Sequence, residues 1–134
     1  MDRMVECELA RIIINDNAEQ QYIFLREKDG DRAFPIVISV FEAFAIDRFV
    51  KEQAPPRPLT HELLFSVLEH LGVTIERTEV TELKQSTFYA NLVLRKGEET
   101  FDVDARPSDA IALAVRASAP IFVHEDVIDE VANS

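Results

Sequence analysis

The strongest constraint on the fold lies between Thr87 and Ala105, where two alternating stretches flank Lys96-Gly97-Glu98-Glu99. Gly in the first central position is what a two-residue type II′ turn requires, since that position needs a positive φ. Counting outward from the turn pairs Arg95 with Thr100, Leu94 with Phe101, Leu92 with Val103, Asn91 with Asp104 and Tyr89 with Arg106. Apolar residues then oppose apolar ones and polar oppose polar, except for Val93 against Asp102 and the small pair Ala90 and Ala105. A slip of one residue would mix the faces, so pattern and turn select the same register. The hairpin is expected to carry Tyr89, Asn91, Asp102, Asp104 and Arg106 on a polar face, and Phe88, Leu92, Leu94, Phe101 and Val103 on a core face.

The rest of the chain supplies partners for that hairpin. Val5 to Ile14 alternates imperfectly, Asn15-Asp16-Asn17 has turn chemistry, Gln21 to Lys28 is a second run ended by Asp29-Gly30-Asp31, and Ala33 to Ile38 is a third. These runs read as an antiparallel meander. Ser39 and Glu42 have capping-box spacing and open a helix in which Phe41, Phe44, Ala45 and Phe49 share a face. That helix must stop before Ala54-Pro55-Pro56-Arg57-Pro58, a stiff linker inside the domain. Thr60 is expected to cap a helix reaching Leu71, with an apolar stripe of Leu63, Leu64, Val67, Leu68 and Leu71 and Gly72 at its end. A strand follows from Val73 to Leu83. Pro107 and Pro120 bracket a helix from Ser108 to Ser118, apolar almost all round and so expected to be buried on most sides. Ile121 to Val123 is a short strand, and Asp126 to Ala132 a last helix. The expectation is an α+β fold, with a mostly antiparallel sheet of about six to seven strands and about four helices. One domain is expected over residues 1–134, because a chain of 134 residues needs a single core.

Charge narrows the function. With 14 Lys and Arg against 25 Asp and Glu the formal charge is −11. A polyanion would therefore have to be met by a local cluster of cations, or by metal ions held on carboxylates. Only three glycines are present, which excludes a P-loop or a dinucleotide fingerprint, and there is no Gly-x-Ser-x-Gly elbow. Cys7 stands alone, so no intrachain disulfide or thiolate metal cluster is expected, and burial in a strand is its plain reading. Neither a signal-peptide core nor a membrane-length apolar run is visible, so a cytoplasmic location without membrane contact is expected.

Asp102 and Asp104 lie about 6.5 to 7 Å apart along their strand. The chain then turns at Arg106-Pro107 into a helix whose first turn holds Ser108 and Asp109 and whose free amides favour anions. Carboxylates able to hold Mg²⁺ or Mn²⁺, beside an Arg able to steady a phosphate, are the elements of phosphoryl chemistry. The plain alternative is a solvated strand face followed by an ordinary helix start. His61, His70 and His124 have no second ligand at metal spacing, and His61 stands out because it lies between Thr60 and Glu62 at a helix start.

Phe34-Pro35-Ile36-Val37-Ile38, Arg57-Pro58-Leu59-Thr60-His61-Glu62-Leu63-Leu64, Phe88-Tyr89-Ala90 and above all Asp104-Ala105-Arg106-Pro107-Ser108-Asp109-Ala110-Ile111-Ala112-Leu113-Ala114 resemble the bifunctional nuclease domain family. The resemblance spans nearly the whole chain, with Ser39 where the family commonly has Gly and Glu62 where it commonly has Asp. It implies a compact α+β domain forming a wedge-shaped dimer, a groove as active site, and cleavage of both DNA and RNA. Residue roles come from the physical reading. Asp104, Arg106, Asp109 and His61 are the candidate catalytic groups, and Asp102, Asp104 and Asp109 the candidate metal ligands. Arg57, Thr60, Tyr89, Asn91 and Ser108 are the candidate substrate contacts. DNA and RNA are the expected substrates of a homodimer or higher homo-oligomer. The rival reading is a non-catalytic dimeric binding or regulatory module, and a third is a small-molecule hydrolase using the same carboxylates.

Overall fold

A computed structural model describes residues 3–15, 17 and 20–132. Its elements are β1 (Met4–Ile13), β2 (Gln20–Glu27), β3 (Ala33–Ser39), α1 (Val40–Val50), α2 (Thr60–His70), β4 (Thr74–Lys84), β5 (Thr87–Lys96), β6 (Glu99–Ala105), α3 (Pro107–Ala117), β7 (Ile121–His124) and α4 (Glu125–Ala132). One seven-stranded sheet has the order β3-β2-β1-β7-β4-β5-β6. Only β4 and β7 pair in parallel; the other pairings are antiparallel, so the expected α+β class holds. Of the turn expected at Asn15-Asp16-Asn17, Asp16 lies outside the described residues.

The hairpin register is the one the turn dictates, with Asn91 opposite Asp104 and Leu92 opposite Val103. Gly97 has φ of +61° while Glu98 stays at negative φ, as a type II′ turn demands. The preceding hairpin closes through Gln85 and Ser86, whose φ values of 51° and 64° make a type I′ turn from residues without glycine's freedom.

Burial is concentrated on one face of the sheet. Ile23, Leu25, Phe34 and Ile36 from the strands meet Ile46 of α1, Ile111 of α3 and Ile128 of α4, all at 1% exposure or less. Helix α3 lies along this core, and its alanines allow close approach to strands on one side and to α1 on the other. Where the backbone comes near, the buried Thr78 hydroxyl donates to the Ala110 carbonyl at 2.9 Å. Cys7 is buried as expected, and burial, followed by the Glu27 charge, pushes its thiol up to about 12, so it stays protonated and inert.

At the opposite margin one expectation is corrected and two apolar helix faces prove uncovered. Phe101 and Val103 face the helix side, but β6 is the sheet's edge strand and each remains 43% exposed. Helix α2 forms where its stripe places it, yet it buries no residue, and Leu63, Leu64, Val67 and Leu71 are all open to solvent. In α1 the core side is Ala43 and Ile46, while Phe41 is 79% exposed. Periodicity shows that a face is apolar and says nothing of what covers it. Both caps also differ. Ser39 is the N-cap residue of α1, but its hydroxyl donates to the Glu42 carboxylate instead of accepting a backbone bond. Leu59, not Thr60, is the N-cap of α2, and Glu62 Oε1 accepts its amide at 3.0 Å.

Candidate active site

The start of α3 is fixed by local chemistry. Arg106 is extended, Pro107 is preorganised for the first helical position, and Asp109 complements the helix dipole in the first turn. The first turn of α2 lies across from it. His61 Nε2 is 2.9 Å from Asp109 Oδ1, a contact between residues 48 apart in the chain. The other oxygen, Oδ2, accepts from Arg106 Nε at 2.9 Å and Nη2 at 2.8 Å. The third guanidinium nitrogen, Nη1, is 3.7 Å from Glu42 Oε1 on α1. Its bonds to Asp109 first, then nearby charge, raise the Arg106 pKa further, so it is a permanent cation. Its side chain is 65% exposed and open to a ligand.

Against a carboxylate already held by a guanidinium, His61 Nε2 acts as donor, which leaves Nδ1 as acceptor. Among the described residues Nδ1 makes no hydrogen bond, and it is not among the sealed side-chain atoms that lack a hydrogen bond, which are Arg48 Nε and Glu62 Oε2, an ion pair at 3.9 Å. An imidazole held by an Asp, with Nδ1 not sealed from solvent, therefore lines a groove of about 870 Å³. Phe41, Phe44, Leu64 and Val103 form its apolar walls, and Arg48 and Arg106 supply its guanidinium cations. A second cavity of about 600 Å³ shares Glu42 and Arg106 with the groove and is lined also by Ser39, Thr87, Phe88 and Ser108.

The expected site residues do not all meet. Asp109, Arg106, His61 and Thr60 assemble at the groove. Ser108 belongs to the second cavity and is itself buried. Tyr89, Asn91 and Asp102 lie on the opposite sheet face, because they alternate with Leu92 and Val103, which look toward the helices. Asp104 borders the groove, but the same alternation assigns its side chain to the far face. Arg57 is exposed in the linker and makes no hydrogen bond or ion pair among the described residues.

The three-carboxylate cation site is therefore not assembled. Strand alternation takes Asp102 and Asp104 one way, and the turn at Arg106 takes Asp109 the other. No group of three or more His, Cys, Asp or Glu among the described residues is placed to hold a metal ion. Asp109 has both oxygens engaged and a guanidinium against it, which is a poor donor set for Mg²⁺ or Mn²⁺. Glu42 was legible only as a cap, and Phe41 and Phe44 only as members of one apolar helix face. Their one sequence signal was that Ala43 and Ile46 already provide a separate core face on the same helix.

Comparison with known proteins gives this geometry a context. The bifunctional nuclease domain matches residues 23–134. A Mycobacterium tuberculosis (strain ATCC 25618 / H37Rv) protein described only as uncharacterized is 38% identical over 125 residues, which is 93% of this chain and 74% of the relative. Bifunctional nuclease 1 of Oryza sativa subsp. japonica is 29% identical over 85% of this chain and 36% of its own length. Bifunctional nuclease 1 of Arabidopsis thaliana is 27% identical over 82% of this chain and 35% of its own. The chain thus spans about a third of the plant proteins. No helix among the described residues is long and apolar enough to cross a membrane.

Proposed function

Because the chain belongs to the bifunctional nuclease domain family, we propose that it hydrolyses phosphodiester bonds of DNA and RNA in the groove where His61 meets Asp109. The 2.9 Å contact between these side chains is the observation that carries the reading. His61 Nδ1 takes a proton from a water molecule as that water attacks phosphorus. Asp109 holds the ring in the required tautomer and stabilises the imidazolium that results. Arg106, anchored through Nε and Nη2, meets the phosphate and balances its growing charge. The bond to the leaving sugar oxygen breaks, and solvent protonates that oxygen. Water serves as nucleophile for both polymers, since DNA has no 2′-hydroxyl. Aromatic, largely apolar walls can stack bases of any identity, which fits low sequence preference. No step is routed through a cation.

Leu63, Val67 and Leu71 of α2 and Phe101 of β6 lie outside the groove lining and are exposed, and we assign to this apolar face the contact of a homodimer. One observation favours the rival reading of a binding module: every donor-facing oxygen of Asp109 is already satisfied. Labelled single-stranded DNA and RNA incubated with wild type and His61→Ala, with EDTA and with Mg²⁺ or Mn²⁺, separates the two. The expected result is a loss of about 10²- to 10⁴-fold in the variant, in EDTA as well as in metal. Equal cleavage by both proteins would refute the enzyme and leave the module. Turnover of a simple phosphodiester without polymer cutting would favour the small-molecule hydrolase.

A further inference from the structure

The groove and the second cavity meet at two residues, Arg106 and Glu42. A phosphodiester resting on Arg106 would therefore place one of its sugars toward each cavity, and Glu42 beside the phosphate. Glu42 is a singular group in that position. Its side chain is 9% exposed, and a carboxylate so buried must have donors to be stable there. One oxygen, Oε1, has them: it accepts from Ser39 Oγ and lies 3.7 Å from Arg106 Nη1. The other, Oε2, makes no hydrogen bond among the described residues. It is also not sealed from solvent, and Glu42 lines both cavities.

An acceptor without a protein donor thus stands in the wall where the two cavities meet. A metal ion would have to sit against the Arg106 guanidinium, so a neutral hydroxyl is the better occupant. Along a nucleic-acid chain the hydroxyl nearest to phosphorus belongs to the sugar, and the bases lie beyond it. Only ribose carries that hydroxyl, and it can donate. We propose that Glu42 accepts a hydrogen bond from a ribose 2′-hydroxyl and makes this site prefer RNA over DNA. The inference rests on the phosphodiester reading given above. It assigns Glu42 a role in specificity, and leaves proton transfer to His61. Ser39 is the positioning residue, because its hydroxyl fixes the rotation of the carboxylate and so the direction of Oε2.

Binding is measured apart from cleavage by titrating the His61→Ala chain with three dinucleotides: UpU, its 2′-deoxy counterpart and its 2′-O-methyl counterpart. The deoxy form lacks the hydroxyl, while the methyl form keeps the oxygen and loses only the proton. UpU should bind about tenfold more tightly than either, the discrimination of a hydrogen bond to a charged group. In His61→Ala carrying Glu42→Gln the preference should shrink to about twofold, and with Ser39→Ala to an intermediate value. The preference is a ratio within one protein preparation, so a partly unfolded variant does not mimic its loss. Equal affinity for all three dinucleotides, or a preference that survives Glu42→Gln, would overturn the inference. Wild type that cuts both polymers without ribose preference would leave the nuclease reading standing alone. Ribose-selective binding by a protein that cuts nothing would do the reverse.

Discussion

The two margins of the sheet use the same kinds of residue to different ends. In β2 and β3 the inward positions are filled, with Ile23, Leu25, Phe34 and Ile36 at 1% exposure or less. Charged groups there close the structure down: Arg32 ties the β2–β3 turn to Glu27, Glu125 and Asp129, the last two on α4. At the other margin α2 buries nothing fully, and polar contacts hold it where they matter: His61 to Asp109 and Arg48 to Glu62, alongside Phe65 under Arg116. One margin carries stability. The other carries a seam between a firmly seated helix, α3, and a lightly seated one, and the functional groups lie along that seam. Such division is physically economical, because a site needs open donors and acceptors, which a filled core cannot supply.

This contrast can be broken by substitution. The largest effect is expected at Ile111, fully buried in α3, where Ile111→Ala should cost about 2 to 5 kcal/mol by urea denaturation. A cost below about 1 kcal/mol would mean that α3 is not the keystone described. A smaller effect is expected on α2. Val67 is 43% exposed, so in dilute solution Val67→Ser should change stability by no more than about 0.5 kcal/mol, yet weaken self-association measured by sedimentation. A change as large as that at Ile111, or an unaltered association constant, would contradict the account of this face.

Much of this was legible in the chain. The turn at Gly97 and the alternation beside it specify the β5–β6 register, because a slip would have reversed every side chain. Pro107 and the apolar run after it specify α3. The pairing of Arg106 with Asp109 was not expected, although their spacing of three across a helix start permits it. What could not be read was anything that depends on which elements become neighbours. His61 was visible as an odd residue at a helix start, but its contact with Asp109 joins positions 48 apart. The exposure of Phe101, Val103 and the α2 stripe depends on β6 lying at the edge, which local pattern does not encode. The three carboxylates expected to share a cation do not converge for a related reason: closeness of Asp104 to Asp109 in sequence conceals the face each one takes.

The central claim, that His61 and Asp109 act as one unit on the phosphodiester, is tested most directly by a double-mutant cycle on kcat/KM. The variants are His61→Ala, Asp109→Asn and the two combined, with each protein's fold checked by denaturation. Members of one catalytic unit are strongly non-additive, so the double variant should be no slower than about the slower single one. Losses that simply multiply, or a cleavage rate that none of the three substitutions changes, would contradict it.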